Sequence, residues 1–205
     1  MMSKTHITVG IAAALASCRP SDYAGILVSV TGGAIGGILC DIECKSTPQC
    51  RDALTGRIIV VGITGAMLLV DGFLKMGIWN WIMSREVMYI IMGTIVLLVT
   101  CIIGRRSEHR TFTHSLLYIV LIAVGFFCIL PELALPVLVE GLSHLTIDTL
   151  NKKPVPWLYP LRKTGICFRL CYASKTGNYI LMWLGLIASI MLIGWRIIII
   201  NSTIL

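Results

Sequence analysis

The sequence predicts an all-α fold, a bundle of helices that crosses a membrane several times. The first observation is composition: of 205 residues, 57% are hydrophobic and 13% are charged, and the mean hydropathy is +0.88. Soluble domains are about 45–50% apolar and about 25% charged. The second is that apolar residues form long runs, the longest near the roughly 20 residues that a helix needs to cross a bilayer. The third is that short polar turns separate several runs, which favours antiparallel neighbouring helices.

Each apolar run predicts one span of a single integral-membrane domain that covers residues 1–205. The predicted spans are 24–39, 58–79, 87–104, 115–130, 133–149 and 179–200. The first holds five glycines, which let other helices approach its backbone, so we expect it to be tightly packed. Pro131 ends the fourth span, because proline interrupts the backbone hydrogen bonds of a helix. Residues 151–178 form a polar insert whose aromatic and basic side chains we expect at the membrane surface.

The N-terminal segment allows two interpretations. Lys4 precedes a short apolar stretch that ends in Leu15-Ala16-Ser17-Cys18, a pattern typical of a signal peptide with a lipoprotein-type cleavage site. The same residues also predict a short helix over 7–17 that leads into the first span. In that case His6 belongs to the mature protein.

The net charge of +7 is unevenly distributed between the two ends of the predicted hairpins. Thirteen of the 17 basic residues fall at one end: Lys4, Lys45, Arg51, Arg57, Arg105, Arg106, Arg110, Lys152, Lys153, Arg162, Lys163, Arg169 and Lys175. The positive-inside rule predicts that this end faces the cytoplasm. These residues lie between apolar runs and form no continuous basic face, so we expect the lipid bilayer as a partner and no nucleic acid. The sequence leaves the oligomeric state open.

Asp71 and Lys75 are four residues apart within the predicted span 58–79. Ionisable residues inside a membrane are functional candidates, so this pair keeps a transporter in consideration. Two structural interpretations are a local ion pair on one helix face and a span whose true end lies near Asp71. A transporter is expected to have polar residues at mid-depth in several spans. This chain gathers them at one end, which favours an enzyme.

All four histidines fall at the same predicted end as three carboxylates. These residues are His6, His109, His114, His144, Asp41, Glu43 and Asp148. Imidazole and carboxylate are the usual ligands of catalytic zinc and of two-metal hydrolytic centres. A carboxylate at the edge of the hydrocarbon layer is costly unless it is paired or bound to a metal. The sequence therefore predicts a polar, metal-binding site at the cytoplasmic face of the bundle.

Two local motifs support this prediction. His144 and Asp148 are four residues apart, so on a helix they share one face and can reach one ion. The segment from His109 to Ser115 places two imidazoles, a guanidinium and three hydroxyls just before an apolar span, and Thr113 or Ser115 can cap the helix start. The structural alternative is that His144 and Asp148 form a polar contact between two spans.

Four motifs occur in order along the chain. They are Thr5-His6, a glycine-rich span ending in Cys40-Asp41-Ile42-Glu43, His109-Arg110-Thr111-Phe112-Thr113-His114-Ser115, and Ser143-His144 to Asp148 followed by Tyr159-Pro160-Leu161. This pattern resembles a family of bacterial inner-membrane proteins described as metal-dependent hydrolases, some of them LexA-regulated. The resemblance covers most of the chain. It implies a multi-pass helical protein of a bacterial or archaeal inner membrane with hydrolase activity. The family pattern has Pro-Asp-Ile-Asp at residues 40–43 and Gly in place of Thr111.

We hypothesise that this set of residues carries out metal-dependent hydrolysis. The metal ligands would be Asp41, His114, His144 and Asp148, with His6 completing the site or binding a second ion. The ion would be divalent, zinc first, with manganese and iron as alternatives. Glu43 would orient a ligand or accept a proton, Arg110 would stabilise negative charge on a phosphoryl or acyl oxygen, and His109 would be the general acid.

The substrate prediction rests on the surroundings of this set. Trp157, Tyr159, Arg162 and Lys163 flank it at the expected lipid boundary. We therefore expect an amphiphile with an anionic headgroup, and phosphoester hydrolysis ahead of ester or amide hydrolysis. The sequence has no G-x-S-x-G nucleophile motif, no P-loop and no dinucleotide fingerprint. The alternative functions are a metal-ion or proton transporter that uses the same His and Asp cluster, and a structural membrane protein.

Overall fold

The computed structural model describes residues 2–43, 50–108, 110–170 and 176–204, with the side chains of residues 50–52 and 204 left out. It is 78% helical, and the described ranges contain no β-strand. The helices are α1 Ser3–Cys18, α2 Tyr23–Leu39, α3 Cys50–Leu74, α4 Ile78–Met83, α5 Val87–Arg106, α6 Leu116–Ile129, α7 Pro131–Thr149 and α8 Thr176–Ile204. A 3-10 turn, Phe112–His114, precedes α6. The predicted all-α membrane fold is confirmed.

Three of the helices are long and apolar enough to cross a membrane. These stretches are Ala53–Leu74, Val87–Arg106 and Thr176–Thr203. Within an apolar 18-residue part of each, only 22%, 17% and 17% of the residues are buried inside the protein. Their exposed side chains are large and apolar, as in Phe73 and Met191. Such a surface is stable in lipid and costly in water.

The interior of the bundle is built by the shorter helices. Helix α1 packs against α2, α7 and α8, and α2 packs against α7 as well. Helix α6 joins α5 to this group through contacts with both α5 and α7. The glycine-rich α2 is therefore a central helix, as predicted for a span that lets its neighbours approach closely.

Local sequence signals set several helix starts. Asp22 accepts a hydrogen bond from the backbone N–H of Gly25 at 2.6 Å and caps α2. Ser115 accepts one from the N–H of Tyr118 at 3.2 Å and caps α6, as predicted for this residue. Pro131 is the first residue of α7, where its missing N–H costs nothing.

The predicted span 58–79 is wrong as a single helix. Helix α3 ends at Leu74, the backbone turns at Lys75 and Gly77 with φ of 52° and 104°, and α4 begins at Ile78. Helices α1 and α8 also begin earlier than predicted, at Ser3 and Thr176. The break in the apolar run was hidden from hydropathy, because Met76 to Trp79 are nearly all apolar.

Asp71 explains how this break is stabilised. Its carboxylate is buried and accepts hydrogen bonds from the backbone N–H groups of Ile78 at 3.0 Å and Trp79 at 2.9 Å. It thus caps α4 across the turn, and Lys75 is exposed. The interpretation as an ion pair is wrong, and the interpretation that the span ends near Asp71 is confirmed.

The helix ends meet in two groups. One group joins the starts of α1, α6 and α8 to the ends of α2, α5 and α7, and we call it the site end. It is held by contacts such as Met2 N to Asn178 Oδ1 at 3.1 Å and Tyr118 Oη to Leu39 O at 2.8 Å. At the opposite end, Arg85 Nε donates to Cys128 O at 3.1 Å. This is the hairpin arrangement that short turns predicted.

Candidate metal centre

Four helix ends deliver polar side chains to one buried point at the site end. Helix α1 supplies His6, the turn before α6 supplies His114, and α7 supplies His144 and Asp148. Asp41 follows the end of α2. The three histidines are 0–1% exposed and Asp148 is 2% exposed. Burying this many ionisable groups in an apolar bundle is costly unless they are paired or bind an ion.

The five side chains form two overlapping sets of metal-ligand atoms. The ligand atoms of His6, His144 and Asp148 lie within 4.8 Å of one another, and so do those of Asp41, His114 and His144. His144 belongs to both sets. The His6 and His144 rings are stacked, with centroids 3.7 Å apart and planes 15° from parallel. The structure therefore brings together all five residues that the sequence predicted as ligands.

The distances among these five side chains are longer than ordinary hydrogen bonds. His6 Nε2 is 3.4 Å from Asp148 Oδ1, and His114 Nε2 is 3.4 Å from Asp148 Oδ2. Asp41 Oδ1 lies 3.7 Å from His114 Nε2 and 3.9 Å from His144 Nε2. Hydrogen bonds of this type span about 2.7–3.2 Å. Ligands bound at about 2.0–2.2 Å to tetrahedral zinc lie about 3.3–3.6 Å from one another. The two distances to Asp148 fall in this range, and the two to Asp41 are longer.

A second layer of polar groups holds His114. Its Nδ1 lies 3.0 Å from Thr113 Oγ1 and 3.4 Å from Glu43 Oε1, so Nε2 is left facing Asp41 and Asp148. The Thr113 hydroxyl also donates a short hydrogen bond to Glu43 Oε2. Glu43 thus contacts the ring of a candidate ligand on the side away from the centre. The sequence suggested such a position for it, from which it would orient a ligand. The sequence did not predict the contact of Thr113 with the His114 ring.

The charges around His114 and Asp41 also affect their protonation. Burial lowers the pKa of His114, but the Asp148 and Glu43 carboxylates outweigh it and raise this pKa to about 9. Burial raises the pKa of Asp41, and the neighbouring His114 and His6 oppose that shift. The Asp41 side chain is 16% exposed, so it lies on the open side of the centre.

Arg110 connects the centre to a cavity. One guanidinium nitrogen donates to Asp148 Oδ2 at 2.7 Å and another donates to Lys153 O at 3.1 Å, while its backbone N–H donates to Glu43 Oε1 at 3.3 Å. The same residue lines a cavity of about 490 Å³, together with Glu108, Tyr159 and Lys163. Arg110 thus contacts both a candidate ligand and this cavity.

His109, the predicted general acid, lies outside the described residues. Trp157, expected near the site, packs beside Cys40, Ile119 and Leu145, and its carbonyl accepts from the N–H of Leu116 at 2.9 Å. It therefore anchors the start of α6. Glu140 is a buried residue that sequence reasoning left out of the site, although its spacing of four residues before His144 repeats that of His144 and Asp148.

Comparison with protein families gives one result over the full length of the chain. The model of the YdjM inner membrane protein family matches residues 1–204. The chain belongs to this family. Neither curated proteins nor solved structures give a match. Membership in the YdjM family, together with the three apolar helices, identifies an inner-membrane protein with buried His and Asp groups that could hold a metal ion.

Proposed function

We propose that this YdjM-family protein is a metal-dependent hydrolase that acts on phosphoesters at the cytoplasmic membrane surface. The observation that carries the proposal is the pair of buried ligand sets that share His144. A set of imidazoles and carboxylates spaced for one or two divalent ions is typical of hydrolytic metal centres. Zinc fits this donor set first, because its usual ligands are His nitrogen and carboxylate oxygen, with manganese and iron as alternatives.

The chemistry divides between the ion and the chain. A bound divalent ion would lower the pKa of its water ligand to about 7 and polarise an ester oxygen. Asp41, His114, His144 and Asp148 would hold one ion, and His6 would complete this site or bind a second ion. Glu43 and Thr113 would fix the ring orientation of His114.

The substrate would bind in the cavity beside Arg110. A guanidinium offers a planar fork that binds two oxygens of a phosphate, and Arg110 already lies within hydrogen-bond reach of Asp148. Lys163 adds a second positive charge to the cavity wall, and Tyr159 adds a hydroxyl. An amphiphile with a phosphate headgroup suits this position at the end of a membrane bundle. His109 remains the proposed general acid.

The cytoplasmic orientation of the site end rests on the excess of basic residues predicted there. A reporter fused after Arg106 should be active only in the cytoplasm. Activity on the periplasmic side would reverse the orientation and exclude a cytoplasmic substrate.

The alternative of an ion or proton transporter needs a polar path between the two ends of the bundle. Asp71 suggested such a path in the sequence. In the structure its carboxylate accepts hydrogen bonds from backbone N–H groups at the start of α4, which is a structural role. This observation favours the enzyme.

Elemental analysis of the detergent-purified protein tests the proposal. Wild type should hold about one to two zinc ions per chain. His144→Ala should lose the bound zinc because His144 belongs to both ligand sets, and His6→Ala should lose less zinc because it removes a ligand from only one of them. Glu132→Gln removes an exposed carboxylate on the same helix and serves as the control. Wild-type protein that binds no zinc, manganese or iron would overturn the metal centre. Metal-loaded protein that hydrolyses neither phosphomonoesters nor phosphodiesters would overturn the hydrolase.

A further inference from the structure

The side chain of Glu140 packs against glycines of α1 and α2, where a larger residue would collide with it. It is 0% exposed and lies on α7, one helical turn before His144. A Cβ atom on Gly36 would be 2.5 Å from Glu140 Oε2, and one on Gly37 would be 2.9 Å from Oε1. A Cβ on Gly10 of α1 would also collide with the Glu140 side chain. The backbones of α1 and α2 therefore enclose this carboxylate closely.

Glu140 and its surroundings hold several unmatched hydrogen-bonding atoms. Among the described residues, neither carboxylate oxygen of Glu140 has a hydrogen-bond partner, and the same is true of His6 Nδ1 and of His144 Nδ1. A buried polar group without a partner is rare and costly. Two orphaned acceptor oxygens thus occur near two orphaned ring nitrogens in the same buried region.

Glu140 and the two rings lie in neighbouring positions between α1, α2 and α7. His6 Nε2 faces Asp148 and His144 Nε2 faces Asp41, so each Nδ1 lies on the opposite edge of its ring from the ligand cluster. Side chains on a helix lean toward its N-terminus, which brings His144 over the turn that carries Glu140. Glu140 Oε1 and the backbone of His6 flank the same point on α2, 2.9 Å and 3.4 Å from a Cβ placed on Gly37.

We propose that Glu140 is a positioning residue for the metal centre. Its two oxygens accept hydrogen bonds from the Nδ1–H groups of His144 and His6 through bridging water. This fixes the tautomer in which both Nε2 atoms are free to bind metal. Metal-binding histidines almost always donate their second N–H to such an acceptor, and His114 already has Thr113 and Glu43 at its Nδ1. The proposal rests on the proposed metal function.

The test compares Glu140→Leu, which keeps the size and removes the acceptors, with Glu140→Gln, which keeps one acceptor oxygen. Glu132→Gln is the control on the exposed part of the same helix. Zinc affinity is measured by competition with a chelator. We expect Glu140→Leu to lose about 10–100-fold in affinity, and Glu140→Gln to lose less. Unchanged affinity in Glu140→Leu would overturn the proposal.

A second readout needs no metal. The ring nitrogen-15 resonances of His144 and His6 in the metal-free protein report which nitrogen carries the proton. Glu140→Leu should shift them, and Glu132→Gln should not. If wild type binds no metal but these resonances shift, the metal function fails while the contact from Glu140 to the rings stands. If they do not shift, the contact fails, whatever the metal content. Thermal denaturation of the metal-free variants shows whether each is folded.

Discussion

Replacing Gly36 with alanine tests whether the close packing of α2 on α7 positions the centre. The new methyl carbon would lie 2.5 Å from Glu140 Oε2, 3.0 Å from Glu140 Cβ and 3.1 Å from the carbonyl oxygen of Val137. Carbon contacts normally begin at about 3.5 Å. The carboxylate can swing away, but the Val137 carbonyl belongs to the helix backbone. The two helices must therefore separate by roughly 0.5 Å to restore ordinary contact distances.

The size of the effect follows from two opposing contributions. Forcing an extra methyl group into a close-packed interior costs about 1–3 kcal/mol. Alanine is the better helix former and returns up to about 1 kcal/mol. We expect a net loss of about 1–2 kcal/mol in the free energy of unfolding. Gly62→Ala is the matched control, because nothing lies within 4 Å of a Cβ on Gly62 in α3.

Thermal denaturation in detergent, followed by circular dichroism, measures the stability of both variants. Gly36→Ala should melt below wild type, and Gly62→Ala should melt at or above it. Gly36→Ala should also bind zinc more weakly, because Asp41 follows α2 while His144 and Asp148 lie on α7. A Gly36→Ala protein with wild-type melting temperature and zinc affinity would refute the reasoning.

Two further substitutions separate structural from functional charges. Asp71→Ala should lower the free energy of unfolding by about 1–2 kcal/mol through loss of the α4 cap, and Asp71→Asn should lower it less. The metal content should be unchanged in both variants. Loss of ion flux across liposomes in a folded Asp71→Asn protein would instead support the transporter. Arg110→Ala should keep its metal but lower phosphoester turnover about 10²–10³-fold, as expected for loss of a donor that stabilises negative charge. Arg110→Lys should not restore this turnover, because lysine lacks the planar fork of the guanidinium. Arg105→Ala, on an exposed arginine, is its control, and metal loss in Arg110→Ala would assign Arg110 to the structure of the centre.

The sequence alone determined that this protein is a helical membrane protein and where its long apolar helices lie. Long apolar runs can be read from hydropathy because each span needs enough length to cross the hydrocarbon layer. Capping residues such as Ser115 also act locally, so the start of α6 was predictable. The short turns make neighbouring helices antiparallel. This was enough to predict that one end of the bundle holds His6, Asp41, His114, His144 and Asp148.

Only the tertiary structure decided which groups each buried charged side chain contacts. Asp71 bonds to backbone N–H groups seven and eight residues away, across a break that hydropathy does not register. Glu140 depends on glycines of two other helices, and such an approach is visible only once α1, α2 and α7 are packed. The division of five candidate ligands into two sets that share His144 is likewise a matter of ångströms between separate helices. Sequence spacing fixes neighbours within one helix, whereas distances between helices follow from the packing of the whole bundle.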